Sequence, residues 1–217
     1  RVSLLKEMGI HRMGLGLEHG NENFREKMLD RKIASSKIVD CLKILNTYDI
    51  KYSVNNIIGF PNETRELAMD TVEINRQIDS DNQNMYSFAP FHGTPLRKMC
   101  EELGLISNET ITRSFMDNSV LDMPQYPLKE VEGLVKCFVL YVKFPKNRWP
   151  EIKKAESEGV NKIFIDPGLG FYYSNLNDGE QRVRRQMGIF LQTFRLRKLG
   201  WPVCNALPHA FEYFRDE

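Results

Sequence analysis

Three short runs of strand-like sequence, separated by stretches with helical periodicity, constrain this chain more than any other feature. Residues 10–17 alternate small and large side chains, residues 52–58 stop at Gly59-Phe60-Pro61, and residues 84–89 stop at Pro90. A helix over residues 2–8 precedes them and is closed by Gly9. Residues 22–29 suggest a short helix, and Ser35 or Ser36 caps the next, which carries Ile38, Leu42 and Leu45 at helical spacing. Thr64 or Asn62 opens a helix over 65–78, and Thr94-Pro95 starts another. Alternating helices and strands imply parallel strands joined by right-handed crossovers. Folds of this kind place their chemistry at the C-terminal ends of the strands. Glu18, Asn55, Gly59 and the segment 90–94 fall there.

The character changes after residue 104. Residues 105–127 are polar and irregular, residues 128–143 carry an apolar helical pattern ended by Pro145, and Trp149-Pro150 opens a short charged helix. Residues 178–198 read as an amphipathic helix with Arg182, Arg184, Arg185, Arg195, Arg197 and Lys198 on its polar face. Two regions are therefore expected, 1–104 and a mostly helical 105–217.

A formal net charge of +1 over 217 residues gives no global basic excess for holding nucleic acid by counterion release. No apolar run is long enough to cross a bilayer. Cys41, Cys100, Cys137 and Cys204 lie far apart, without metal-knuckle or redox-pair spacing, and are expected to be buried reduced thiols in a cytoplasmic protein. The four histidines, His11, His19, His92 and His209, are equally scattered.

Three segments together resemble the radical S-adenosylmethionine (radical SAM) superfamily. They are Gly14-Leu15-Gly16-Leu17-Glu18-His19-Gly20-Asn21-Glu22 with Met28-Leu29-Asp30-Arg31; Asn55-Asn56-Ile57-Ile58-Gly59-Phe60-Pro61-Asn62-Glu63-Thr64; and Phe88-Ala89-Pro90-Phe91-His92-Gly93-Thr94-Pro95-Leu96. The resemblance implies an α/β fold over residues 1–104, the C-terminal half of a partial (β/α)6 TIM-type barrel, followed by a mostly helical region. Residues 121–125 and 138–150 are similar to the tail of bacterial members with a cobalamin-binding domain ahead of the barrel, which would add cobalamin as a cofactor.

For such enzymes a [4Fe-4S] cluster with an open iron binds S-adenosylmethionine (SAM) and cleaves it reductively to a 5′-deoxyadenosyl radical. The family's Cys-x-x-x-Cys-x-x-Cys loop does not occur here, so the cluster ligands are expected outside this chain. The implied partners are the missing N-terminal half of the same polypeptide, an electron donor and an unidentified small-molecule substrate. The resemblance assigns Arg31 to the SAM carboxylate, which its fork suits. It assigns Glu18 and Asn55 to the ribose and methionyl groups and Ile57 and the backbone at Phe88 and Ala89 to the adenine side, and counts Gly59, which shapes the turn, among the cofactor-binding residues.

Plainer readings stand beside these. Arg31 is also a natural surface arginine, Glu18 a cap for the helix near Asn21, and Asn55 a core amide. Glu63 reads as a first-turn helix residue, His92 as a solvated loop histidine. Rival functions are a tRNA or protein methylthiotransferase, a non-radical (β/α)-barrel lyase using Glu18 and His19 as acid and base, and a degenerate, non-catalytic binding module. A helical tail speaks against the first, which usually ends in a β-rich domain.

Overall fold

The computed structural model describes residues 2–112, 114, 119–159, 184 and 188. Of the expected basic helix, only Arg184 and Gly188 are described, both helical; the rest of it, with Cys204 and His209, lies outside the described residues. The account below concerns the compact unit of residues 1–160.

The elements follow the order α1 (Val2–Glu7), β1 (Arg12–Glu18), α2 (Glu22–Leu29), α3 (Ser35–Thr47), β2 (Lys51–Ile58), α4 (Arg65–Asn75), β3 (Asn82–Ser87) and α5 (Pro95–Glu102). They continue with α6 (Leu128–Lys143), a 3-10 turn (Lys146–Arg148) and α7 (Trp149–Ser157). The three strands are parallel and lie side by side in the order β1-β2-β3, so the α/β reading holds. Strand β1 begins two residues later than the periodicity suggests, and β3 spans residues 82–87 instead of 84–89. Its C-terminal boundary is set where Phe88 leaves the ladder for the core.

Alternation in β2 separates two faces. Tyr52, Val54, Asn56 and Ile58 are buried, whereas Ser53, Asn55 and Ile57 are only half-buried. Tyr52 and Val54 join Leu17 of β1 against Val39, Leu42 and Leu45 of α3 and Ile74 of α4. Burying such side chains supplies roughly 1.5–3 kcal/mol each. The other face of β1 carries the exposed Gly14 and Gly16. One face of the sheet is thus covered by helices and the other is partly open.

Caps define several helix ends. Asn21 accepts from the Phe24 amide at the start of α2, Thr64 from Leu67 at α4, and Thr94 from Arg97 at α5. Helix α3 departs from expectation: its cap is Ala34, with no side-chain bond, and neither Ser35 nor Ser36 serves. The Ser35 hydroxyl instead meets the Arg25 guanidinium at 3.2 Å and the Gly20 carbonyl at 3.4 Å.

The loop after β1 docks on α4 through Gly20. Its amide donates to Thr71 Oγ1 at 2.8 Å, and Asn21 Nδ2 donates to Asp70 Oδ2 at 2.7 Å. A Cβ at Gly20 would overlap the Asp70 carbonyl, a backbone group that cannot swing aside. Helix α6 packs against α4 and β3. Arg65 grips Glu156 with both Nη atoms at 2.5 and 2.8 Å, and Tyr141 donates to the same carboxylate at 2.7 Å. The carboxylate raises the already high pKa of Arg65. Gly133 makes room, since a Cβ there would lie 2.6 Å from Glu156 Cγ. Arg76 donates to the Tyr141, Val142 and Phe144 carbonyls and satisfies the end of α6.

Cys100 and Cys137 are buried, and burial pushes both thiols up to about 11. Cys41 corrects the expectation of a buried thiol: it is exposed on α3, because the apolar stripe of that helix runs through Val39, Leu42 and Leu45.

Two stability predictions follow from these contacts. Glu156→Gln strips the charge from a buried carboxylate shared by Arg65 and Tyr141, and should cost about 3 kcal/mol in urea unfolding. Glu151→Gln, which breaks an exposed pair with Arg148, should cost under about 0.5 kcal/mol. Gly20→Ala should cost more than about 2 kcal/mol by forcing α2 off α4, whereas Gly14→Ala, with only Ser53 Oγ at 3.9 Å, should be tolerated.

Candidate functional site

At the C-terminal end of β1 the pairing with β2 slips. Gly16 faces Asn55, but Glu18 faces Asn56, so Leu17 is an extra residue and Glu18 takes a left-handed φ of 68°. For a glutamate this conformation costs on the order of 1–3 kcal/mol. The slip folds the Glu18 carboxylate back over Gly16, where any Cβ would overlap Oε1.

Arg31 arrives at the same place from α2. Asp30 ends that helix in the left-handed conformation, with φ 49°, and its amide bonds back to the last turn. The chain then turns so that Arg31 Nη1 donates to the Gly16 carbonyl at 3.0 Å and Nη2 sits 3.2 Å from Glu18 Oε1. Arg31 remains about half exposed, at 48% of its side chain.

Asn55 shares the open face with Gly16, its register partner, and accepts from Asn84 Nδ2 at 2.8 Å. Asn84 in turn accepts from Asn82 at 2.9 Å. Ile57 lies two residues on, half-buried and paired in register with Tyr86. Glu18, Arg31, Asn55 and Ile57 therefore gather on one side of the sheet at one end of its strands.

Gly59, Phe88 and Ala89 lie beyond Ile57, which packs against the cluster that holds the Phe88 ring. Gly59 leaves the alternation with φ 81°, and a Cβ there would point at Val131 Cγ1, 2.9 Å away on α6. Phe88 turns its ring into a cluster with Phe24, Phe60, Cys100 and Leu121. Its amide donates to the Ile58 carbonyl at 2.7 Å, and its carbonyl accepts from Ser119 Oγ at 3.0 Å. The half-buried Ala89 uses its carbonyl to accept from the Phe91 amide at 2.9 Å. Any ligand contact here falls to backbone and not to the Phe88 ring.

The core amide of β2 is Asn56, not Asn55. Fully buried, it exchanges hydrogen bonds with Asn75 at 2.8 and 3.3 Å and donates to the Asn84 carbonyl at 2.9 Å. Glu63 likewise is no first-turn helix residue. It precedes the Thr64 cap, is fully buried, accepts the Phe60 amide at 2.8 Å and bonds His19 Nε2 at 3.0 Å. His19 Nδ1 accepts from the Asn21 amide at 3.1 Å, which fixes the proton on Nε2. Both ring nitrogens are engaged and the ring is 0% exposed, so His19 cannot serve as the acid or base of a lyase. His92 is exposed on its loop. The Gly-Phe-Pro-x-Glu spacing could have pointed to Glu63 as the closure of a turn; nothing in the sequence marked His19 as its partner.

Among the described residues no three His, Cys, Asp or Glu side chains converge to hold a metal. The cluster implied by the resemblance has no fit in the described part of the chain. The open face carries groups of the kind SAM would need: the Glu18 carboxylate and Arg31 guanidinium meet over Gly16, and Asn55 stands beside it in register.

Comparison with known proteins supplies the context. Residues 1–74 match the family model of the radical SAM superfamily. The chain is 29% identical to a tRNA-2-methylthio-N(6)-dimethylallyladenosine synthase of Halalkalibacterium halodurans over 58% of its own length and 24% of that protein's. Its identity to the same enzyme of Geobacillus thermodenitrificans is 26%, over 50% of this chain and 21% of the relative. It is 23% identical to an uncharacterized methyltransferase of Pyrococcus horikoshii over 65% of this chain and 31% of the relative. The chain spans less than a third of the length of these relatives. Sheet topology and motif placement agree with this likeness: residues 1–74, about a third of the chain, are similar to the radical SAM superfamily.

Proposed function

We propose that this chain is part of a radical SAM enzyme and carries the SAM-contacting second half of its barrel in residues 1–104, with residues 105–217 as an accessory region. The observation that carries this reading is the Glu18–Arg31 pair folded over Gly16 beside Asn55. Arg31 would take the SAM carboxylate, because two of its N–H groups are engaged by Gly16 and Glu18 and its fork has further donors. Glu18 would accept from ribose hydroxyls or the SAM amino group. Asn55, its oxygen occupied by Asn84, offers its NH2 donors. Ile57 gives an apolar contact for adenine, flanked by the Gly59 turn and the Phe88–Ala89 backbone.

When bound together, SAM and a [4Fe-4S] cluster supply a 5′-deoxyadenosyl radical; the cluster cysteines and the rest of the barrel belong to sequence outside this chain. In this reading the enzyme is cytoplasmic, takes electrons from a separate donor and acts on a small molecule, with cobalamin as a further cofactor bound elsewhere. A second reading, modification of tRNA, draws support from the names of two relatives. The helical α6 and α7 beyond the barrel segment favour the first.

Calorimetry on a protein with a complete, reconstituted barrel tests the site. Arg31→Ala should weaken SAM binding by about 1.5–3 kcal/mol, roughly ten- to a hundredfold, and Asn55→Ala by about 0.5–1.5 kcal/mol. Parental affinity in both variants, with circular dichroism unchanged, would refute the assignment. The 217-residue chain alone should stay colourless after anaerobic reconstitution with iron and sulfide. Stoichiometric iron uptake with broad visible absorption would show that its own cysteines converge.

A further inference from the structure

Arg25 of α2 makes no bond to a side chain of the open face, yet its surroundings are built for a charge. It is fully buried within the first turns of α2. Nη1 donates to the His19 carbonyl at 2.7 Å, and Nη2 to the Ile33 carbonyl at 2.6 Å and Ser35 Oγ at 3.2 Å. Its Nε has no partner among the described residues. Burial lowers its pKa, Glu22 opposing the fall and the nearby Arg31 adding to it. A buried cation costs several kcal/mol before its bonds offset the loss. The location suits an apolar side chain, since Phe24 and Met28 of the same helix are core or partly core residues. Something other than packing favours an arginine.

Its acceptors explain what that is. His19 directly follows Glu18, and Ile33 stands two residues beyond Arg31. The guanidinium therefore bridges the two backbone segments from which the open-face pair projects. Residues 30–34 have no helix or strand of their own. Their other ties lie at the two ends or at the surface: the amide bonds closing α2, the Ala34 carbonyl on the Ile38 amide at 3.1 Å, the Ser35 amide on Glu22 at 2.8 Å and an exposed Lys32–Asp30 pair. The half-exposed Arg31 side chain is held, among the described residues, by Gly16 and Glu18.

We propose that Arg25 is a positioning residue for the Glu18–Arg31 pair, its buried fork clamping the backbone on both sides so that the two side chains meet over Gly16. The consequence for ligand binding rests on the reading that this pair contacts SAM; the clamp itself does not.

The first test therefore needs no ligand. In the isotope-labelled chain, the Arg31 guanidinium should show two resolved Nη signals, because its contacts to Gly16 and Glu18 slow rotation about Cζ–Nη. Arg31→Lys assigns them. In Arg25→Met they should collapse to one, while the signals of Arg97, buried and bonded to three backbone carbonyls and to the Glu101 and Thr112 side chains, stay unchanged as a control for the fold. If Arg25→Met does not fold, Arg25→Lys, which keeps the charge but not the fork, is read by the same criterion. An Arg31 spectrum identical in parent and variant overturns the proposal.

The second test uses a complete barrel. Arg25→Met should weaken SAM binding about tenfold, and should add nothing in an Arg31→Ala background, since it acts through Arg31. Additive losses would mean a general structural effect and would also overturn the proposal. A parent that does not bind SAM would remove the SAM reading and leave the ligand-free spectra to decide on Arg25.

Discussion

The hydrogen bond between His19 Nε2 and Glu63 Oε1 ties together the ends of β1 and β2, and the open-face site depends on it. Both side chains are completely buried, and each remaining acceptor is matched: His19 Nδ1 by the Asn21 amide, Glu63 Oε2 by the Phe60 amide. A carboxylate deprived of water is tolerated only with such partners, and loss of either leaves the other stranded. The bond fixes where β1 stops, and therefore where its slip at Leu17 must fall. Glu18, forced into left-handed backbone between Leu17 and His19, has no other direction than back over Gly16. The strain at Glu18 is held in place by the closure at its neighbour.

The parallel strands were legible because strand and helix periods differ and because the capping residues Thr64 and Thr94 stand where the periods change, whereas the cap of α2 is Asn21 and not Glu18. Polar residues inside the strands were harder to divide. Asn55 and Asn56 are the same residue type in adjacent positions, and alternation places them on opposite faces without saying which face is covered. Only the docking of α3 and α4 on the side of Tyr52 and Val54 makes Asn56 the core amide and Asn55 the open one. Cys41 shows the same ambiguity on a helix, one position from the buried Leu42.

The buried charges escaped sequence reading for a different reason. Arg25, Arg97, Glu63 and Glu156 look like ordinary polar helix or loop residues, and polar residues are usually exposed. What buries them is distant in sequence: the partner of Arg65 is Glu156, and Arg97 collects carbonyls from Pro90 and from residues 107 and 108. These side chains stand in for secondary structure in segments that have little. Arg97 organises the irregular stretch after α5, as Arg25 organises the stretch after α2. The motif singled out Glu18, Arg31 and Asn55 on the open face, whereas the contacts behind them, such as those of Arg25 and Glu63, carry no local pattern.

Helix α4 joins these two sets of contacts, and its geometry explains how. Arg65 and Arg76 are eleven residues apart, close to three whole turns, so they lie on one face, where they hold Glu156 and the carbonyl end of α6. Thr71 and Asn75 are four apart on another face, toward Gly20 and Asn56. Ile74 and Ala68 fill the apolar remainder. Gln83 from β3 donates to the Asn75 carbonyl at the last turn and fixes the register of the helix along the sheet. A rotation of α4 about its axis would break contacts on every face at once. The loop after β1 and helices α6 and α7 are thus referred to the same element, and the position of one constrains the other.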